Sequence, residues 1–96
     1  MKRVRIVVTG RVQGVFFRVY TQKFARNLGI TGYVQNLPSG EVKIVAEGFE
    51  DSLRKLAVWA KKKGSPYSRI DRTEEKWEDI EKPQYSDFQI TYGSWM

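Results

Sequence analysis

At 96 residues, 41% of them hydrophobic and 29% charged, the chain has the length and balance of one globular domain with a single core, and its composition argues against disorder. It contains no cysteine and no histidine, which excludes disulfides, thiolate nucleophiles, imidazole bases and nearly every zinc site; carboxylates, lysine, arginine, hydroxyls, amides and the backbone remain for chemistry. A formal net charge of +6 predicts an anionic partner, for which nucleic acid, an acidic membrane surface and a small phosphorylated metabolite all qualify; a solvated basic surface with no such partner accounts for the charge as well.

Met1-Lys2-Arg3 resembles the start of a signal peptide, but Val4-Arg5-Ile6-Val7-Val8 is too short and too charged to be the apolar centre of one, and no other apolar stretch approaches membrane length. The expectation is a soluble, cytoplasmic protein. Val4, Ile6 and Val8 alternate with Arg3, Arg5 and Thr9, the period of a strand with one buried face. After a glycine-bounded stretch, Phe17, Thr21, Phe24 and Leu28 recur at helical spacing, and Gly29 stands where a left-handed C-terminal cap belongs. Tyr33 to Asn36 and Val42 to Ala46 are strand-like and flank Leu37-Pro38-Ser39-Gly40, which predicts a hairpin.

Leu53, Leu56, Ala57 and Ala60 trace the face of a second helix. Glu50 and Asp51 lie near its start, Lys61, Lys62 and Lys63 in its last turn and Gly64 just beyond, each on the side the helix dipole prefers. That placement explains the three lysines without a nucleic-acid patch. Ile70 to Trp77 alternates poorly and Glu74 to Lys82 is heavily charged, whereas Phe88, Ile90 and Tyr92 alternate cleanly; the pattern predicts a ragged edge strand and a short regular one. The order strand, helix, strand, strand, helix, strand is the α+β, ferredoxin-like split βαβ arrangement (βαββαβ), with two helices packed on one face of an antiparallel sheet in a single domain spanning 1–96. Unrelated functions share that fold, so the function has to be argued from a site.

The stretch between the first strand and the first helix, Gly10-Arg11-Val12-Gln13-Gly14-Val15-Phe16-Phe17-Arg18, is the candidate site. A glycine-rich turn at a helix N-terminus leaves several backbone N–H groups unpaired at the positive end of the helix dipole, a ready cradle for an anion. Gly10 and Gly14 would allow close backbone approach, and Val15, Phe16 and Phe17 are expected to pack the turn onto the core. The glycine spacing is one residue short of a Walker A loop and the Lys-Ser/Thr pair is missing; it is not a dinucleotide fingerprint either. Arg18 sits in the first helical turn, where a cation opposes the dipole by roughly a few tenths to 1 kcal/mol. It is either a solvated surface arginine or a planar charged fork for phosphate oxygens. Asn36, at the end of the second strand, either serves the geometry of the reversal or projects toward the glycine-bounded turn.

That stretch, followed by Gly32-Tyr33-Val34-Gln35-Asn36-Leu37-Pro38-Ser39-Gly40, resembles the two signature segments of the acylphosphatases, in order and at the right separation. The resemblance continues through Gly64-Ser65-Pro66 and Tyr85-Ser86-Asp87-Phe88-Gln89-Ile90 and so covers essentially the whole chain. It implies a ferredoxin-like fold and cofactor-free, metal-free hydrolysis of acyl phosphates to a carboxylate and inorganic phosphate. It implies further that the Gln13, Gly14, Val15, Phe16, Phe17 and Arg18 segment binds the phosphate, Arg18 with its guanidinium, while Asn36 orients the attacking water. Position 16 is glycine in many members and phenylalanine or tryptophan in others. The stretch from Arg69 to Gln84 matches least, and it bears on what the acyl end of a substrate meets.

A carboxylate leaving group, with a conjugate-acid pKa near about 4, needs no general acid, so the missing histidine and cysteine suit a mixed anhydride better than a phosphate monoester. Carbamoyl phosphate, acetyl phosphate and a glycolytic mixed anhydride present the same dianion. The expected partner is thus a small-molecule acyl phosphate met by a monomer, with no nucleic acid and no membrane. The alternatives are a ferredoxin-like RNA-binding module, disfavoured because Val4 to Val8 and Val42 to Ala46 supply no aromatics for base stacking, and a non-catalytic phosphate-binding relative. A domain serving a carbamoyl-transfer maturation factor is disfavoured because this chain lacks the further domains such factors carry.

Overall fold

A computed structural model describes residues 1–92. Its elements are β1 (Lys2–Arg11), α1 (Phe17–Asn27), β2 (Thr31–Asn36), β3 (Val42–Gly48), α2 (Glu50–Lys62), β4 (Arg69–Asp79) and β5 (Phe88–Thr91). They build one sheet in the order β4-β1-β3-β2-β5. The alternation in β1 buries Val4, Ile6 and Val8 completely, and they meet Ile44, Ala46 and Val34 from the neighbouring strands in one core. Phe17 and Ala25 of α1 and Leu53, Leu56 and Ala60 of α2 close that core from above, so both helices cover the same face. Each side chain of this kind contributes roughly 1.5–3 kcal/mol by leaving water.

The first four strands form the expected antiparallel split βαβ sheet, and the last quarter of the chain adds to it. β4 is long and regular rather than ragged, running antiparallel to β1 from Lys2↔Asp79 to Arg11↔Arg69 with a single irregularity at Thr9/Gly10. None of its side chains is fully buried, so no apolar stripe marks it in the sequence; its register comes from backbone pairing and from ion pairs such as Lys2 with Asp79 and Arg3 with Glu78. β5 is a fifth strand, parallel to β2, which makes the sheet mixed.

To reach it, the chain crosses from one sheet edge to the other over the face the helices leave open. Glu47, completely buried on that face, anchors the crossing: its Oε1 accepts the Gln84 N–H at 2.6 Å, and its Oε2 accepts Arg3 Nε at 2.8 Å. Tyr85 packs edge-on against Tyr33, and the Gly32 N–H donates to the Asp87 carbonyl at 2.9 Å, which seats β5 beside β2.

Candidate active site

The bend between β1 and α1 is pinned from several sides. Val12, Val15 and Phe17 point into the core, whereas Phe16, expected there too, is turned outward by its left-handed backbone and is exposed; Ser65, itself buried, donates from Oγ to the Val15 carbonyl at 2.6 Å. At its root, a Cβ on Gly10 would run into the Arg69 carbonyl oxygen of β4, so only glycine fits there. Gly14 (φ 74°) and Phe16 (φ 62°) are both left-handed, a backbone path that curls N–H groups around an anion. Phe16 is the one non-glycine residue with positive φ among the described residues; a side chain in that conformation costs roughly 1–2 kcal/mol.

Among the described residues no side chain caps the N-terminus of α1, and its first turn holds no acidic residue. The free N–H groups and the positive end of the helix are therefore available to an external anion. Arg18, half-buried, holds its guanidinium 5.1 Å from the centre of the Tyr92 ring, and no carboxylate pairs with it among the described residues. It shares a cavity of about 210 Å3 with Val12, Gly14, Phe16, Phe17, Val19, Ile90 and Tyr92. Four of the six expected phosphate-binding residues, Gly14, Phe16, Phe17 and Arg18, thus line one hollow; Val15 is buried in the core and Gln13 has its side chain elsewhere.

Gln13 Nε2 donates to the Leu37 carbonyl at 2.7 Å and to the Glu41 carbonyl at 2.9 Å, which ties the bend to the β2–β3 reversal. Glu41 completes the tie, its carboxylate accepting the hydroxyls of Thr9 and Ser39 at 2.9 Å each. The Ser39 hydroxyl first and Thr9 second hold that carboxyl below the usual range. Asn36 adjoins this clamp. Val34 faces the helices, so strand alternation puts Asn36 on the same side as the bend. Its Oδ1 is buried and has no hydrogen-bond partner among the described residues. Asn36 does not line the cavity that contains Arg18; because Gln35 pairs with Thr91 in the parallel register, Asn36 stands one step further along, beside the position of Tyr92.

The sequence reading did not single out Tyr92, the Gln13 side chain or Ser65 for these roles. Ser65 carried a signal only as part of Gly64-Ser65-Pro66, and Tyr92 reads as one more alternating residue until the parallel pairing of β5 is known.

Comparison with known proteins finds one family over nearly the whole chain. A family model described as Acylphosphatase matches residues 4–90. The chain is 44% identical over 94 residues to the acylphosphatase of Syntrophobacter fumaroxidans, covering 98% of this chain and 95% of that protein. It is 46% identical over 93 residues to human acylphosphatase-2, covering 96% and 94%. The crystal structure of acylphosphatase from Bacillus subtilis superimposes with a TM-score of 0.89 at 36% identity, over 96% of this chain and all of that one.

Proposed function

This chain belongs to the acylphosphatase family and is an acylphosphatase, and from that premise we propose how its residues divide the work. The main-chain N–H groups from Gln13 to Arg18, with the Arg18 guanidinium, hold the phosphoryl group of a small-molecule acyl phosphate. The donors meet the charge that spreads over its equatorial oxygens in the transition state. The Asn36 carboxamide holds a water in line with the bond to be broken. Water oxygen bonds to phosphorus as the phosphorus–oxygen bond to the acyl group breaks; the bonding pair leaves with the carboxylate, and the water's protons pass to the phosphate product and solvent. The departing carboxylate, with a conjugate-acid pKa near about 4, needs no proton donor, and the reaction uses no metal.

The observation that carries this reading is the Asn36 Oδ1 atom, a buried acceptor with no partner among the described residues, on the face where the bend lies. An unpaired buried carbonyl costs about 1–3 kcal/mol, and a substrate water would satisfy it. The test is hydrolysis of a chromophoric acyl phosphate in the presence of chelator, with a simple phosphate ester as control. Turnover of the first and not the second is expected. Loss of activity in EDTA, restored by magnesium, would refute metal independence, and full activity in Arg18→Gln would refute the role of the guanidinium.

A further inference from the structure

The acyl end of the substrate must leave the phosphate cradle on the side opposite the attacking water, since displacement at phosphorus is in line. Strand order fixes which side that is. Asn36 and Tyr92 stand at the β2–β5 side of the bend, while the opposite edge of the sheet is β4, entered through the segment that contains Tyr67. Phe16 lies between them, in the bend itself, and its ring meets Tyr67 edge-on with centroids 6.4 Å apart.

Both rings stand in solvent: Phe16 is 64% exposed and Tyr67 66%. Phe16 also occupies a left-handed backbone position that glycine would take without strain, and its side chain fills no core space in return. Backbone strain retained for the sake of an exposed ring at the mouth of the cavity shared with Arg18 is accounted for if the ring itself has a task.

We propose, on the active-site reading above, that Phe16 and Tyr67 are the acyl-group subsite, and that they select flat apolar acyl groups, the mixed anhydrides of aromatic carboxylic acids, over short aliphatic ones. Two rings set at 61° to each other form an open corner in which a third ring stacks on one and meets the edge of the other. The contact is the same before and during reaction, so its effect is felt in KM more than in kcat.

The test measures kcat/KM for benzoyl phosphate and acetyl phosphate on the intact chain and on Phe16→Gly, Phe16→Tyr and Tyr67→Ser. The unmodified chain is expected to favour benzoyl phosphate, and the benzoyl-to-acetyl ratio to fall about tenfold in Phe16→Gly, chiefly through KM, an effect in the range of a lost apolar contact in a specificity pocket. Tyr67→Ser, an exposed change in a connecting segment, is expected to lower the same ratio, and Phe16→Tyr to keep it. An unchanged ratio in both Phe16→Gly and Tyr67→Ser, with both substrates still hydrolysed, overturns the subsite alone. Failure of the unmodified chain to hydrolyse either substrate overturns the active-site reading and the subsite with it.

Discussion

The side-chain amide of Gln13 and the carbonyl of Leu37, 24 positions apart in sequence, are joined by a hydrogen bond of 2.7 Å. Leu37 follows Asn36 directly, so the bend that offers N–H groups to an anion and the residue that faces it with a free carbonyl are held by one amide. Gln13→Ala leaves the Leu37 and Glu41 carbonyls without that donor, both in half-buried residues. A stability loss of about 1–2 kcal/mol is expected, with a larger relative fall in kcat than in affinity for inorganic phosphate. Equilibrium denaturation together with phosphate inhibition checks both parts.

Arg18→Gln and Asn36→Ala are expected to fail differently. Without its guanidinium the site loses phosphate affinity and turnover together, by analogy with arginine fingers on the order of a thousandfold or more in rate. Without the Asn36 amide, inorganic phosphate still inhibits while turnover falls on the order of a hundredfold or more, the scale of losing one preorganised polar group. Asn36→Ala also removes a buried acceptor that has no partner among the described residues, so stability is expected to hold or rise. Product inhibition and thermal melts on the two variants separate these outcomes; a destabilised Asn36→Ala would show that its amide is structural.

Among the described residues Glu47 is the one fully buried acid, and its removal leaves the Gln84 N–H without its acceptor and Arg3 with Glu78 alone. Glu47→Ala is expected to destabilise the chain by about 1–3 kcal/mol, the cost of a buried donor left unsatisfied. Because Gln84 belongs to the crossing that leads to β5, faster amide exchange from Gln84 through Thr91 is expected to accompany the loss, and hydrogen-exchange mass spectrometry would show it.

Acid should unfold the protein through a few identifiable carboxylates. The Phe88 N–H and then Arg26 hold Asp87 below the usual range, Lys2 does so for Asp79, and Ser39 and Thr9 for Glu41. A carboxyl with a lowered folded pKa stabilises fully above its unfolded pKa, near about 4, and stops doing so as pH falls through the lowered value. Lys2, raised by Asp79, runs the other way: its contribution is present below its unfolded value, near about 10.4, and is lost at higher pH. Denaturation midpoints are therefore expected to be flat from about pH 5 to 9, to decline below about pH 4 and to decline again in strong alkali. Asp87→Asn should flatten the acid limb, and an unaltered limb in that variant would remove Asp87 from the account.

Repeats of apolar residues report which face of a segment is buried, and that information is local. Val4, Ile6 and Val8 announced β1, Leu53, Leu56, Ala57 and Ala60 announced α2, and Pro38 with Gly40 marked the reversal; each stands where the pattern put it. The bend was legible for the same reason, since a glycine pair between a strand and a helix start is a local signal with a local consequence, an uncapped helix N-terminus. β4 was only half legible because an edge strand with no buried stripe has no period to read.

From composition and short-range pattern alone followed an α+β chain with a backbone anion cradle, a nearby arginine and no histidine or cysteine chemistry. Only the folded sheet decided that Asn36 turns its unpaired carbonyl to the helix side, that Gln13 clamps the reversal, that β5 brings Tyr92 onto Arg18, and that Phe16 and Tyr67 meet on the far side. Those relations depend on strand order and register, which join residues up to 77 positions apart through long-range pairing, and no window of neighbouring residues carries that information.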